Sequence, residues 1–182
     1  MKIEHPGAHL DHMMRQTRSH HQELSSMADL KANMLLTVAS VVITLAATRI
    51  SAPELRWAIL VLLPFCLITI GLSAYATMPA ASTAGGGRDQ PRPGEAGFNL
   101  LFFGHFSQMS YDDYSAAMEE LMNDPSRTYE AQLREVYTLG VFLAKKKYRA
   151  LRMAYFAFIT GLTASGLVAI VMTVLHNART AP

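Results

Sequence analysis

Trp57-Ala58-Ile59-Leu60-Val61-Leu62-Leu63-Pro64-Phe65-Cys66-Leu67-Ile68-Thr69-Ile70-Gly71-Leu72-Ser73-Ala74-Tyr75-Ala76-Thr77-Met78 contains no Asp, Glu, Lys, Arg or His. A helix that crosses a bilayer needs about 20 mostly apolar residues, and a charge at its centre is costly. Trp57 and Tyr75 lie near the two ends of the run, where amphipathic rings favour the headgroup level. The run 57–78 is therefore predicted to span a membrane. A second charge-free gap, 153–175, gives the same expectation. A third, 32–48, is shorter and carries Asn33, Thr37, Ser40, Thr44 and Thr48, as suits a tilted or bundle-buried span. A cleaved signal peptide ending near Ala46 and Ala47 is the competing reading of this gap. It fits poorly, because Glu4, Asp11, Glu23 and Asp29 precede it where a short basic region belongs.

The expected fold is an all-α membrane protein with two or three transmembrane helices and a helical cytoplasmic segment between the second and the third. Overall composition, 51% hydrophobic and 16% charged, would also suit a soluble domain; the placement of the charges decides. A net charge of +2 gives no reason to expect nucleic acid as a partner. The lone Cys66 excludes an intrachain disulfide and a thiolate metal site.

Orientation follows from the basic residues at the span ends. Lys2, Arg15, Arg18 and Lys31 precede the first span, and Lys145, Lys146, Lys147, Arg149 and Arg152 precede the third. The positive-inside bias then puts the N-terminus and the middle segment in the cytoplasm and the tail outside, with only Arg49 and Arg56 opposing it. The location expected is the cell inner membrane.

Along the chain, 1–31 reads as an N-terminal cytoplasmic helix, because Leu24, Met27, Leu30 and Met34 recur at spacings of three and four. It is expected to run without a break into the first transmembrane helix, 32–48; the second is 57–78. Residues 79–97, with Gly85-Gly86-Gly87, Pro91 and Pro93, read as a flexible linker. The cytoplasmic helical segment is 98–152. In it, Ser110 precedes Tyr111-Asp112-Asp113 as an N-cap precedes acids in a first turn. A helix to about Met122, a break at Asn123-Asp124-Pro125-Ser126 and a long helix from near Arg127 through the lysine cluster follow. The third transmembrane helix is 153–175 and the tail 176–182.

Few residues point to chemistry. His5, His9, His12, His20 and His21 have helical spacing that could hold a metal, but no Cys or carboxylate cluster accompanies them, and a solvated surface is the better account. No nucleophile elbow or phosphate-binding loop occurs, so no catalytic residue is expected and the chain is not read as an enzyme. The run from Lys145 to Arg152 suits a cytoplasmic anchor on anionic lipid. Some of it, with Arg127 and Arg134, also suits a pocket for a phosphate-bearing ligand. Ser26, Asp29, Asn33, Thr37, Ser40, Thr44 and Thr48 line one helix face, expected to turn toward protein. Ala157, Gly161, Ser165 and Ala169, every fourth residue, form a ridge suited to close helix packing and to self-association.

Two stretches resemble the transmembrane-type Pycsar effectors of the pyrimidine-cyclase antiphage systems. One is Glu23-Leu24, Ala28-Asp29 and Lys31-Ala32-Asn33 running into a span. The other is Asn99-Leu100-Leu101-Phe102-Phe103-Gly104, with the Tyr114 to Leu121 helix, the Asp124-Pro125 break, Leu139-Gly140 and Lys145-Lys146-Lys147-Tyr148. The resemblance implies that a neighbouring pyrimidine cyclase makes cyclic UMP or cyclic CMP on infection and that the effector then damages the inner membrane, an abortive infection. No β-roll nucleotide domain is present in the sequence, so sensing falls to the middle segment or to an assembly.

The expected function is thus a defence effector, a homo-oligomer in membrane lipid, with cyclic UMP or cyclic CMP as activating ligand and no other cofactor or metal. Asp29, Lys31 and Asn33 at the membrane entry, and Asn99, Arg127, Arg134 and Lys145 elsewhere, are the residues expected to bind the ligand or couple it. Ala157, Gly161 and Ser165 are those expected to pack helices. The alternatives are a passive membrane scaffold or small subunit, and a constitutive channel. The second is weakened by the lack of mid-membrane charge.

Overall fold

A computed structural model describes residues 7–78, 95 and 98–180, with Arg179 and Thr180 described in backbone only. The linker expected at 79–97 lies almost wholly outside the described residues, as does His5. The elements are α1 (Ala8–Thr48), α2 (Arg56–Thr77), α3 (Phe103–Phe106), α4 (Tyr111–Met122), α5 (Pro125–Phe142), a π-helical turn (Leu143–Lys147) and α6 (Tyr148–Thr180). No strand occurs among the described residues. Three helical stretches, Ala8–Thr48, Arg56–Thr77 and Pro125–Ala178, are long and apolar enough to cross a membrane. The fold is that of an all-α membrane protein.

The chain divides into two compact units, Met1–Ser25 with Met78–Ala144, and Ser26–Thr77 with Lys145–Pro182. In the first, Ser110 caps α4 by accepting from the Asp113 amide, and Asp124 caps α5 by accepting from the Ser126 and Arg127 amides. Pro125 opens α5, where its missing N–H costs no helical bond. The short connection is tied by the Thr128 hydroxyl, which donates to the Leu121 carbonyl at 2.7 Å. The start of α1 is held in this unit by polar contacts. The Tyr129 hydroxyl donates to Asp11 at 2.7 Å, and Arg18 lies 3.0 Å from Glu135. Gly140 leaves room for the His21 ring, whose Cε1 would lie 3.2 Å from a Cβ there.

In the second unit, Ala58, Ile59, Cys66, Thr69, Ser73 and Ala76 are the buried face of α2. From Cys66 onward they recur at three and four residues, as one helix face requires. Opposite, α6 buries Ala150, Leu151 and Ala154, and Gly161 meets Phe65 of α2 so closely that an added Cβ would collide with it. The Thr69 hydroxyl donates to the Phe65 carbonyl at 2.7 Å and also reaches the Ala154 carbonyl at 3.5 Å. α1 joins through Ala28 and Ala32, clustered with Ala76, Ala150 and Leu151.

The buried face of α1 differs from the expected one. Ala28, Ala32, Leu35 and Ala39 are buried, whereas Asn33, Thr37, Thr44 and Thr48 are exposed. The reason lies in the hydroxyls: Thr37 donates to Asn33 O, Ser40 to Leu36 O, Thr44 to Ser40 O and Thr48 to Leu45 O, at 2.7–3.0 Å. Satisfied by their own helix, they need no neighbour, and the alanines allow the closer approach.

Candidate functional site

The second unit carries a half-buried ion pair. Lys147 Nζ donates to both carboxylate oxygens of Asp29 at 2.7 Å, and only 9% of the lysine side chain is exposed, against 38% of the aspartate. α1 positions Asp29 beside its buried Ala28. The π-turn positions the lysines individually: Lys145 is exposed, Lys146 lies 5.1 Å over the Tyr75 ring, and Lys147 is buried. Single π-turns are rare and often mark functional sites. Removing one partner of a buried pair strands the other charge, which costs far more than an exposed pair ever contributes. The arrangement can therefore hold one packing of the unit and release it when the pair opens.

Of the residues singled out at the membrane entry, Asp29 is joined to Lys147, a member of the basic cluster from Lys145 to Arg152, while Lys145 itself is exposed. Lys31 and Asn33 are exposed. Ala157 and Ser165 are partly buried and Gly161 buried. This ridge contacts α2 of the same chain at Gly161.

The first unit holds a cleft of about 400 Å³ lined by Asn99, Arg127 and Arg134 together with Glu120 and Glu130, on an apolar surface that includes Leu100, Ala117, Leu121 and Ala131. Arg127 and Arg134 are two helical turns apart and so share a face of α5. Each guanidinium has a carboxylate beside it. Arg127 bonds to Glu120, which holds the guanidinium pKa above its ordinary value, and Arg134 lies 3.6 Å from Glu130.

Asn99 is built in from three sides. Its backbone N–H donates to His105 Nδ1 at 3.0 Å, and its side-chain Oδ1 accepts from the Leu101 N–H at 3.0 Å. The Phe98 ring stacks on His105 with centroids 5.4 Å apart, and Phe102 meets it edge-on at 5.0 Å. Only 3% of Asn99 is exposed, yet its Nδ2 is buried without a hydrogen-bond partner. Burial pushes the His105 pKa below its ordinary value. The neutral ring is also the form that can accept from Asn99, since an acceptor Nδ1 carries no proton.

Sequence reasoning named Asn99, Arg127 and Arg134, which the fold gathers into one cleft, but it missed the glutamates and His105. The four-residue spacing of Glu130 and Arg134 was a usable signal. Nothing local links Asn99 to His105 except their closeness in sequence.

A family model, the Pycsar effector protein domain, matches residues 12–175. Neither a curated protein nor a solved structure matches the chain.

Proposed function

The chain belongs to the Pycsar effector family and serves antiphage defence, and from this we propose that it answers a cyclic pyrimidine nucleotide, cyclic UMP or cyclic CMP, by permeabilising the inner membrane. A neighbouring pyrimidine cyclase supplies the nucleotide. The observation that carries this reading is the Asp29–Lys147 pair, a buried ammonium 2.7 Å from the Asp29 carboxylate in the unit that also contains α2 and most of the apolar part of α1. While the pair is closed, the alanine-lined packing of α1, α2 and α6 is favoured. Opening it obliges Lys147 to reach water or lipid headgroups, and the helices repack around the vacated position.

Reception and membrane damage need no bond to be made or broken, so the chain is no enzyme in this reading. Copies assemble in the membrane lipid, with the exposed Asn33, Thr37 and Thr44 stripe of α1 as the surface they share, because polar side chains on a span associate helices. Asn33 thus contributes to assembly, and Lys31 anchors at the headgroups along its apolar stem.

The test is dye uptake and growth arrest on co-expression with a pyrimidine cyclase. Asp29→Asn takes the carboxylate from Lys147 at a cost no larger than the lower end of about 3–5 kcal/mol, given the partial exposure of Asp29. It is expected to change the cyclase dependence of dye uptake, whereas Lys31→Arg leaves it nearly intact. Wild-type uptake and wild-type cyclase dependence in Asp29→Asn would remove the pair from the mechanism. Equal permeabilisation with and without the cyclase would identify a constitutive channel instead.

A further inference from the structure

The cleft of the first unit is a self-neutralised anion site. Arg127 and Arg134 are each paired with a glutamate, Glu120 and Glu130, and their side chains stay 54% and 42% exposed. Exposed pairs of this kind are weak, and a guanidinium fork binds a phosphate oxygen pair as well as a carboxylate. An incoming phosphodiester can therefore take the arginines from their glutamates at little cost. The volume, about 400 Å³, falls within the range of small-ligand sites.

Asn99 supplies a second, independent observation. Its Oδ1 is committed to the Leu101 N–H and its backbone N–H to His105, which fixes the carboxamide in one orientation. That leaves Nδ2 as a buried donor with no acceptor on a residue that lines the cleft. Buried donors without partners are disfavoured, and a ligand acceptor would complete this one.

We infer that this cleft receives a mononucleotide phosphodiester, with Arg127 and Arg134 leaving Glu120 and Glu130 for the phosphate while Asn99 Nδ2 donates to the 2-carbonyl of a pyrimidine. That carbonyl is present in both uracil and cytosine, and adenine has no carbonyl at all. The inference rests on the functional reading above, in which the chain answers a cyclic pyrimidine nucleotide.

The decisive measurement is equilibrium binding of cyclic UMP, cyclic CMP and cyclic AMP to the purified full chain in detergent. The wild-type protein should bind a pyrimidine nucleotide better than cyclic AMP. Arg127→Gln and Arg134→Gln should each weaken it by about tenfold or more, the loss of one charge-assisted bond. Glu120→Gln should strengthen binding, because it removes the competing carboxylate; a merely structural role for Glu120 would not produce that sign. Asn99→Asp keeps the acceptor for Leu101 and removes the donor, so it should reduce the preference for pyrimidines. Arg15→Gln, outside the cleft, should leave affinity unchanged. If the nucleotide binds and both Arg134→Gln and Glu120→Gln retain wild-type affinity, the cleft is not the site and the functional reading survives. If no cyclic pyrimidine nucleotide binds the wild-type chain, the functional reading falls, and this assignment with it.

Discussion

His105 holds the Asn99 of the cleft from outside it, because its ring accepts the Asn99 backbone N–H, stacks on Phe98 and meets Phe102 edge-on. Burial lowers its pKa in the folded chain from 6.5. A group whose folded pKa is depressed contributes stability that is present above its unfolded pKa and lost as pH falls through the folded one. The structured middle segment should therefore lose stability on acidification through and below about pH 6.5. His105→Gln, which cannot be protonated, should flatten that dependence when thermal unfolding is followed across the range. Equal pH slopes for the two proteins would mean that another histidine carries it. At this scale the sequence was partly readable. Asp29 at a membrane entry demands a basic partner, and the cluster from Lys145 to Arg152 offered several. Which lysine answers depends on the π-turn, and helical periodicity carries no mark of that turn.

At the scale of elements, the three long apolar helices were legible because a helix seldom stays free of charge over a full bilayer thickness unless it crosses one. The Ser110 cap was legible for an equally local reason, a side-chain oxygen placed before free backbone amides, whereas Asp124 was read only as part of a break and caps a helix that opens at Pro125. The contacts between helices were less so. A row of hydroxyls and a row of alanines both suit close packing, and only the hydrogen bonds of Thr37, Ser40 and Thr44 to their own helix account for the burial of the alanines instead. The Gly161 ridge was read as suited to close helix packing and to self-association, and in the structure Gly161 packs against Phe65 of the same chain. Gly161→Ala should accordingly destabilise the α2–α6 packing by about 1–3 kcal/mol, as overpacking does. The readout is a lower unfolding temperature in detergent, with Gly166→Ala, which has open space around its Cα, as the neutral comparison. If both variants melt alike, the Phe65 contact does not limit the packing.

For the whole molecule, the distribution of Lys and Arg predicts an orientation. A reporter inserted at Gly86 should be active in the cytoplasm and one fused after Pro182 outside it. Both on one side would mean that only two of the three apolar helices cross. Lipid and water are the two solvents such a protein must manage, and α1 is prepared for both. Thr37 and Thr44 already give their protons to carbonyls one turn back, so their face can lie against acyl chains without an unmet polar group. The same hydroxyl oxygens retain lone pairs that water can use. A change of solvent along that face therefore asks for no refolding of the helix and no exchange of backbone bonds. What was a dry wall between copies becomes a wetted wall once those copies draw apart or turn. Cysteines introduced at Thr37 and Thr44, against the buried native Cys66, should then react with a membrane-impermeant thiol reagent only when the cyclase is present.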